Sequence, residues 1–580
     1  MPNASDFNRF SVNPINLDMQ RSMFDMDHSV KWSCNVGEVI PFDCIEILPG
    51  DTFQIETSKV IRLQPLVAPI MDEIVLDVYW FFVPHRLVWS HWKEFMGENT
   101  QSAWSPEVEY NIPKITPPNI ALSGSPIYAW NVGTIADYMG LPVGSVERDG
   151  ASVGIIFSPS ALPFRSYALI CNDWFRSEAV MDPVHVFVDD TNRTGSNSND
   201  QVTDIELGGK PFIACKFFDY YTSALPSPQR GEPVELNFVK STSYAPVVTR
   251  DLVFNHPYKA NNNSSDVGTH VTFKTSGATK YNNFASNASL DIGTDSNLHN
   301  GTAPSSLTTN TIYFDNLWTK LSDTNFNYIS INDLRTAFAM QKYLEKQARF
   351  GGRYIEFIKG FFGVDSPDAR LQRSEYLGGS RIVLNINQVE QTSATQSGST
   401  PLGNVAGMSV TADTNDDFLH SFTEHGFVIG CAVARYHHSY QDSVHKMWLR
   451  SNKYEYYNPT FANLGEQSIK KIQLDGYAQN NSEVFGYNEA WCEYRTLPSK
   501  ICGEMRSVYQ LPLDMWHLGD HYSETPSLSP EWLREDKGNL DRCLSVTSEI
   551  SNQIICDFFV KTKATRVMPM YSIPGLIDHH

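Results

Sequence analysis

Hydrophobic and polar positions alternate along much of this chain with a period of two, the repeat of a strand whose faces meet different surroundings. Val39–Leu48 and Thr52–Leu63 are the first two such runs, joined by Leu48-Pro49-Gly50-Asp51. Proline at the second turn position presets φ and glycine at the third supplies φ > 0, as a type II turn requires. The run Ile74–Val83 differs. Ile74, Leu76, Val78, Trp80 and Phe82 share one face, and Val75, Asp77, Tyr79, Phe81 and Val83 make an opposite face nearly as apolar. Such a strand is covered on both sides, inside a sandwich or at a subunit contact. Further strands are predicted at Arg381–Ile386, Phe427–Tyr436, Glu483–Tyr487 and Ile554–Lys563.

Helical periodicity is sparse. Its clearest stretch is Ser330–Gly352, where Ser330 and Asp333 resemble a capping box, Leu334, Ala337, Phe338, Met340, Leu344 and Ala348 form a stripe, and Gly351-Gly352 stops it. Leu162–Ser177 is a weaker helix, and Ser366-Pro367-Asp368 opens a short helical turn with proline in first position. Polar, weakly patterned residues 1–36 read as an N-terminal arm, ordered by packing on something else. Between Lys259 and Asn310 the composition turns to Asn, Ser, Thr and Gly around a strand-like Val271–Lys274. That segment is too poor in apolar residues to hold a core, so it reads as a surface excursion between a first body at 37–258 and a second at 311–580, the latter ending in a C-terminal arm.

Composition agrees with strands and turns. The chain of 580 residues has 32 Pro, 35 Gly and 12% aromatic residues, with 41% hydrophobic content, ample for a large core. Strands drawn from both ends of a long chain predict an all-β protein with large insertions. The jelly roll, with about eight antiparallel strands in two sheets, tolerates long loops best.

A formal charge of −20 argues against a surface that grips nucleic acid throughout, because phosphate binding needs clustered Lys and Arg. Nine scattered cysteines without a C-x-x-C pattern predict free buried thiols in a reducing cytoplasm rather than disulfides or a zinc site. No signal-peptide pattern and no bilayer-length apolar run occur, so a soluble cytoplasmic chain without membrane insertion is expected. Gly208-Gly209-Lys210-Pro211 has the wrong spacing for a phosphate loop, and neither H-E-x-x-H nor G-x-S-x-G occurs. Glu424, His425, His437, His438 and His445 are too widely spaced to be read as a metal set, and the Asn-x-Ser/Thr triplets at Asn262, Asn263, Asn287 and Asn300 fit chance in an Asn/Ser-rich stretch. No catalytic residue, cofactor or metal is expected.

Several stretches are specific. They include EILPGDTF (46–53), IMDEIVLDVYWFFVPHRLVWSHWKEFMGE (70–98), ALPFRSYALICNDWFR (161–176), FFDYYTSALPSPQRG (217–231), NDLRTAFAMQKYLEKQARFGGRY (332–354), FGVDSPDARLQRSEYLGG (362–379), VFGYNEAWCEYR (484–495) and IPGLIDH (573–579). In this order and spread, the chain resembles the major capsid proteins of the Microviridae, small single-stranded DNA bacteriophages, and most closely the gokushovirus branch. It departs from them after HGFVIG (425–430), where CAVARYHHSYQDSVHKMW is richer in histidine.

The resemblance implies an eight-stranded jelly-roll core, self-assembly into a T=1 icosahedral shell around circular single-stranded DNA, and residence in the virion after assembly in the host cytoplasm. It also implies that the 259–310 insertion forms a protrusion at the threefold axis, suited to attachment to a bacterial surface receptor. Because the chain is acidic, the shell is expected to need a polarised interior, a small basic DNA-binding virion protein beside it, or both. Lys561, Lys563 and Arg566 are the candidate DNA-facing residues, and a subunit contact would use the same residues. Arg370 and Arg373 are read either as facing DNA or as salt-bridged at a subunit contact. A carbohydrate-binding or carbohydrate-cleaving β-sandwich and a phage receptor-binding spike are the rival readings, since aromatic richness and polar loops suit both.

Overall fold

The computed structural model describes residues 21–98, 100, 109–121, 125–148, 151–231, 234, 331–390, 405–480 and 482–571, with short strands between 247 and 319. Ten longer strands build two sheets: β1 (Ser22–Asp25), β2 (His28–Cys34), β3 (Ile40–Ile47), β4 (Thr52–Leu63), β5 (Ile74–Pro84), β6 (Glu375–Val383), β7 (Ile386–Glu390), β8 (Val405–Ser421), β9 (Gly426–Tyr436) and β10 (Ile554–Arg566). The six-stranded sheet runs β1-β10-β4-β8-β7, with β2 also on β10, and the four-stranded sheet runs β6-β5-β9-β3. All these pairings are antiparallel.

The pairing is nested. β2 joins β10, β3 joins β9, β4 joins β8 and β5 joins β6, as in one long hairpin. The hairpin is then wrapped so that β10 also meets β4 and β9 also meets β5. The turn at its first corner matches its sequence: Gly50 has φ +89°, and Asp51 N donates to Leu48 O at 3.1 Å.

Two cores flank the four-stranded sheet. Between the sheets, Trp32 and Phe558 from one side interdigitate with Phe42 and Trp80 from the other, with ring centroids 5.2 Å apart in the Trp32–Phe558, Phe42–Phe558 and Phe42–Trp80 pairs. These edge-on contacts are the arrangement aromatic quadrupoles favour. The second core lies on the far face, where Phe81, Val83, Ile429 and Val433 pack against Phe164, Tyr167 and Ile170 of the helix Leu162–Ile170. The doubly apolar face of β5 is therefore covered by this chain's own loops and helices.

Several expectations shift. Of the stretch read as an arm, Ser22–Asp25 and His28–Cys34 are built into the larger sheet, and residues 1–20 lie outside the described residues. The helix of Leu162–Ile170 continues as a π turn at Cys171–Phe175, and Pro367 caps Asp368–Leu371 rather than opening it. The strand predicted at Arg381–Ile386 begins earlier, at Glu375. β8 was not expected at all. Its inward residues Ser409 and Thr411 are buried while its outward Met408 and Val410 are exposed, so its hydrophobic alternation points away from the core. The long helix is Ile331–Phe350; Ser330 lies outside the described residues.

Gly231–Tyr343 is a separate compact unit. Within it, Val247–Thr249 pairs Leu317–Thr319, Phe273–Thr275 pairs both Lys280–Tyr281 and Ile312–Phe314, and Leu290–Ile292 pairs Leu298–Asn300. The expected insertion at Lys259–Asn310 falls in this unit and mostly outside the described residues. All nine cysteines are free, six of them buried. Among the described residues no helix is long and apolar enough to cross a membrane.

One ion pair is sealed between the sheets. Lys59 Nζ lies 2.6 Å from Ser380 Oγ and 3.5 Å from Asp417 Oδ1, and Trp80 Nε1 donates to Asp417 Oδ2 at 2.9 Å. Burial pulls the Lys59 ammonium down and pushes the Asp417 carboxyl up, each opposed by its partner. Removing one member strands the other without compensation, whereas replacing both with apolar groups does not. Asp417→Ala is expected to destabilise the subunit by about 3–5 kcal/mol, and the double variant Lys59→Met/Asp417→Leu by much less, read from denaturant midpoints.

Candidate functional site

Alternation along β10 decides where its cations go. Ile554, Cys556, Phe558, Val560 and Ala564 face the core, so Lys561 and Lys563 project from the outer face of the six-stranded sheet. Arg566, three residues beyond Lys563, falls on the opposite side. Its guanidinium lies over the Phe53 ring at 5.3 Å, 3.4 Å from Asp51 Oδ2, and donates to Glu46 O at 2.8 Å. The three candidates therefore do not form one patch.

Lys561 is 2.7 Å from Glu56 Oε1, and that hydrogen bond, with the nearby charges of Glu56, Asp27 and Asp416, raises its pKa. One ammonium among three carboxylates is a poor phosphate site. Lys563 is exposed, pairs in register with Asp25 and Gln54, and makes no ion pair among the described residues. Lys31, on the same outer face, is 3.2 Å from Asp557. Of the other arginines considered, Arg373 pairs with Asp368 at 3.4 Å and lies over Trp174 at 4.5 Å, both within the chain.

The histidine-rich stretch disperses. His437 stacks on Phe217 with centroids 4.7 Å apart, His445 Nδ1 accepts from Met447 N, and Glu424 pairs with Arg86 at 2.6 Å. Among the described residues no group of three or more ligating side chains could hold a metal ion. His438 instead enters a buried polar network. Its Nδ1 lies 3.0 Å from Asp520 Oδ1 and its Nε2 2.6 Å from Glu535 Oε1, a pairing that uses both ring nitrogens as donors. Tyr522 Oη donates to Asp520 Oδ2 at 2.9 Å, and Lys216 Nζ approaches the same oxygen at 3.4 Å. Burial disfavours the charged ring, but the two carboxylates prevail and raise the His438 pKa to about 9. Burial also opposes the Asp520 carboxylate, which His438 and Lys216 hold well below the usual range.

A second buried charge spans three strands. Asp77, the one charge in the apolar run of β5, accepts from Arg381 of β6 at 2.6 Å and from Arg435 of β9 at 2.8 Å. These hydrogen bonds outweigh burial and keep its pKa below normal. Sequence reading listed Asp77 only as part of a strand face. A lone acid in a doubly buried strand was itself the signal that cations must meet it.

Geometry thus assigns Asp77, Lys59, Asp417 and His438 with their partners to bracing the fold. The comparison with known proteins is consistent with such a body. A family model described as "Capsid protein (F protein)" matches residues 15–576. The chain belongs to this capsid protein family. Capsid protein VP1 of Spiroplasma virus 4 is 39% identical over 577 residues, covering 98% of this chain and 97% of the relative. Capsid protein VP1 of Chlamydia phage 1 is 33% identical, covering 98% of both chains. That of Bdellovibrio phage phiMH2K is 36% identical over 96% of this chain and 95% of its own. As a major capsid protein of a Microviridae phage, of the gokushovirus group, this chain is a structural component of a multimeric capsid in the virion.

Because the folded pKa of His438 lies above its ordinary 6.5, the stability it contributes is fully present below about 6.5 and is lost as pH rises through about 9. Asp520, shifted down, contributes stability that is lost only when pH falls below the ordinary carboxylate range. The stability of the capsid protein against thermal unfolding is expected to fall as pH rises from 6.5 through about 9. His438→Gln is expected to start lower and lose that slope.

Proposed function

We propose that this capsid protein folds as an eight-stranded jelly roll (β2 to β6 and β8 to β10) and closes with copies of itself into a T=1 icosahedral shell around circular single-stranded DNA. The observation that carries the reading is the nested, wrapped pairing of strands from both chain ends, in a member of a capsid protein family. A chain at −20 does not neutralise a genome by its average charge, so a small basic virion protein accompanies it. Of the three DNA-facing candidates, Lys563 is the exposed cation without an ion pair among the described residues, while Lys561 and Arg566 are engaged by carboxylates of the chain. Assembly takes place in the host cytoplasm, where free buried thiols persist.

The polar segment 259–310 forms the threefold protrusion and contacts a bacterial surface receptor. Supporting this, it belongs to the compact unit Gly231–Tyr343, and its described strands pair outside both large sheets. Recognition carried on such an excursion varies without disturbing the scaffold.

Two tests follow. Purified protein is expected to appear in negative-stain micrographs as uniform closed particles, and small soluble oligomers alone would refute the shell. Replacing residues 259–310 with a short Gly/Ser linker is expected to leave a folded subunit and closed shells that lack protrusions and no longer attach to cells. An unfolded subunit would place the segment in the core, and full infectivity would place recognition elsewhere.

A further inference from the structure

Outside both sheets, two irregular segments meet in an aromatic platform. Tyr457 packs on Trp491 and Tyr494 with centroids 5.6 and 6.2 Å apart, and the Arg450 guanidinium lies over Tyr494 at 4.4 Å and Tyr456 at 5.2 Å. Tyr454 continues the cluster through Phe461 at 6.4 Å. The rings are well formed but uncovered: Tyr454 is 64% exposed, Tyr456 54% and Tyr494 50%. Beneath them Trp491 is buried and donates to Phe461 O at 2.9 Å, yet its φ is +64°, a region a bulky side chain rarely adopts. Strain of this kind persists where surrounding structure enforces it, and it clusters at functional surfaces. Exposed Tyr around a fixed Arg is also the composition of interface hot spots, and a contiguous exposed apolar patch marks a binding surface.

We infer that this platform, built on Tyr454, Tyr456 and Tyr494, docks a second copy of the chain in the shell. The inference rests on the capsid reading and specifies one of its contacts. Charge favours a protein copy over nucleic acid. Glu493 sits 3.1 Å from Lys446 and 3.3 Å from Arg450, which is itself nearly buried, so the platform offers Lys453 as its exposed cation without an ion pair among the described residues. One such cation is a weak phosphate site. Three cations (Lys446, Arg450, Lys453) against two carboxylates (Glu455, Glu493) leave the platform without the negative charge of the rest of a −20 chain, so a second copy meets no like-charge repulsion there, while a polyanion finds no cluster of free cations.

The test uses the full chain with Tyr454→Ser and Tyr456→Ser combined, both at exposed positions, beside Ile550→Ser, an exposed residue outside the platform. Sedimentation reads self-association, microscopy reads closure, and hydrogen exchange compares residues 446–457 and 490–497 in assembled and dissociated protein. The double variant is expected to keep the wild-type unfolding transition, to associate at least tenfold more weakly and to form few shells. Wild-type protein is expected to protect both segments on assembly. Association equal to wild type, an equal loss with Ile550→Ser, or no protection on assembly would overturn the assignment. Closed shells that lose DNA alone, or cell attachment alone, would assign the platform to those ligands instead. Wild-type copies that associate through the platform without closing would refute the shell and leave this contact standing.

Discussion

Everything in the larger sheet depends on one strand finding two partners. β10 lies between β2 on one side and β4 on the other, and it supplies Ile554, Cys556, Phe558 and Val560 to the core between the sheets. Without it, β2 has no neighbour in the sheet and β4 keeps only β8. The ring contacts of Phe558 with Trp32 and Phe42 would go as well, and they tie the two sheets together. A strand in this place carries hydrogen bonding and packing together, so its register is constrained from both edges and one face.

Buried charge refines what apolar packing begins. Asp77 sits where three neighbouring strands must align, because a slip of any one would leave a carboxylate or a guanidinium unpaired. Lys59 and Asp417 do the same at the bulge of β8, where the register against β4 shifts between Asp416 and Phe418. His438 ties the end of β9 to Asp520 and Glu535 in the segments that lead toward β10. Each pair adds little net stability beside an apolar alternative, but each strongly penalises a wrong arrangement.

The strands that bury one uninterrupted apolar face were legible in the chain: β4 agrees end to end, β9 agrees apart from its first residue, and β5 and β10 agree apart from their last residues. β8 was not, because packing against Leu66 and Pro69 leaves room at Gly407 for no side chain and sets small polar residues inward. Local pattern also underestimated β1 and β2, whose faces make sense only once β10 is beside them. At the candidate site the limit was similar. Lys561 and Lys563 were legible as strand cations, while the carboxylates that surround Lys561 come from β4, β8 and the β1–β2 turn, far apart in sequence. Arg566 could have been separated from them by counting, since an odd step along a strand changes face.

The position of β10 also sets a schedule for synthesis. A ribosome completes β4 about five hundred residues before it completes β10. At translation speeds of about 5–20 residues per second the nascent chain waits roughly 25–100 s with the edges of β2 and β4 open. Unpaired edges of that kind invite pairing with other chains, and polysomes hold many copies close together. The body of this subunit therefore closes only once β10 has been made, and a cell making it in quantity must keep half-made copies apart until that strand arrives.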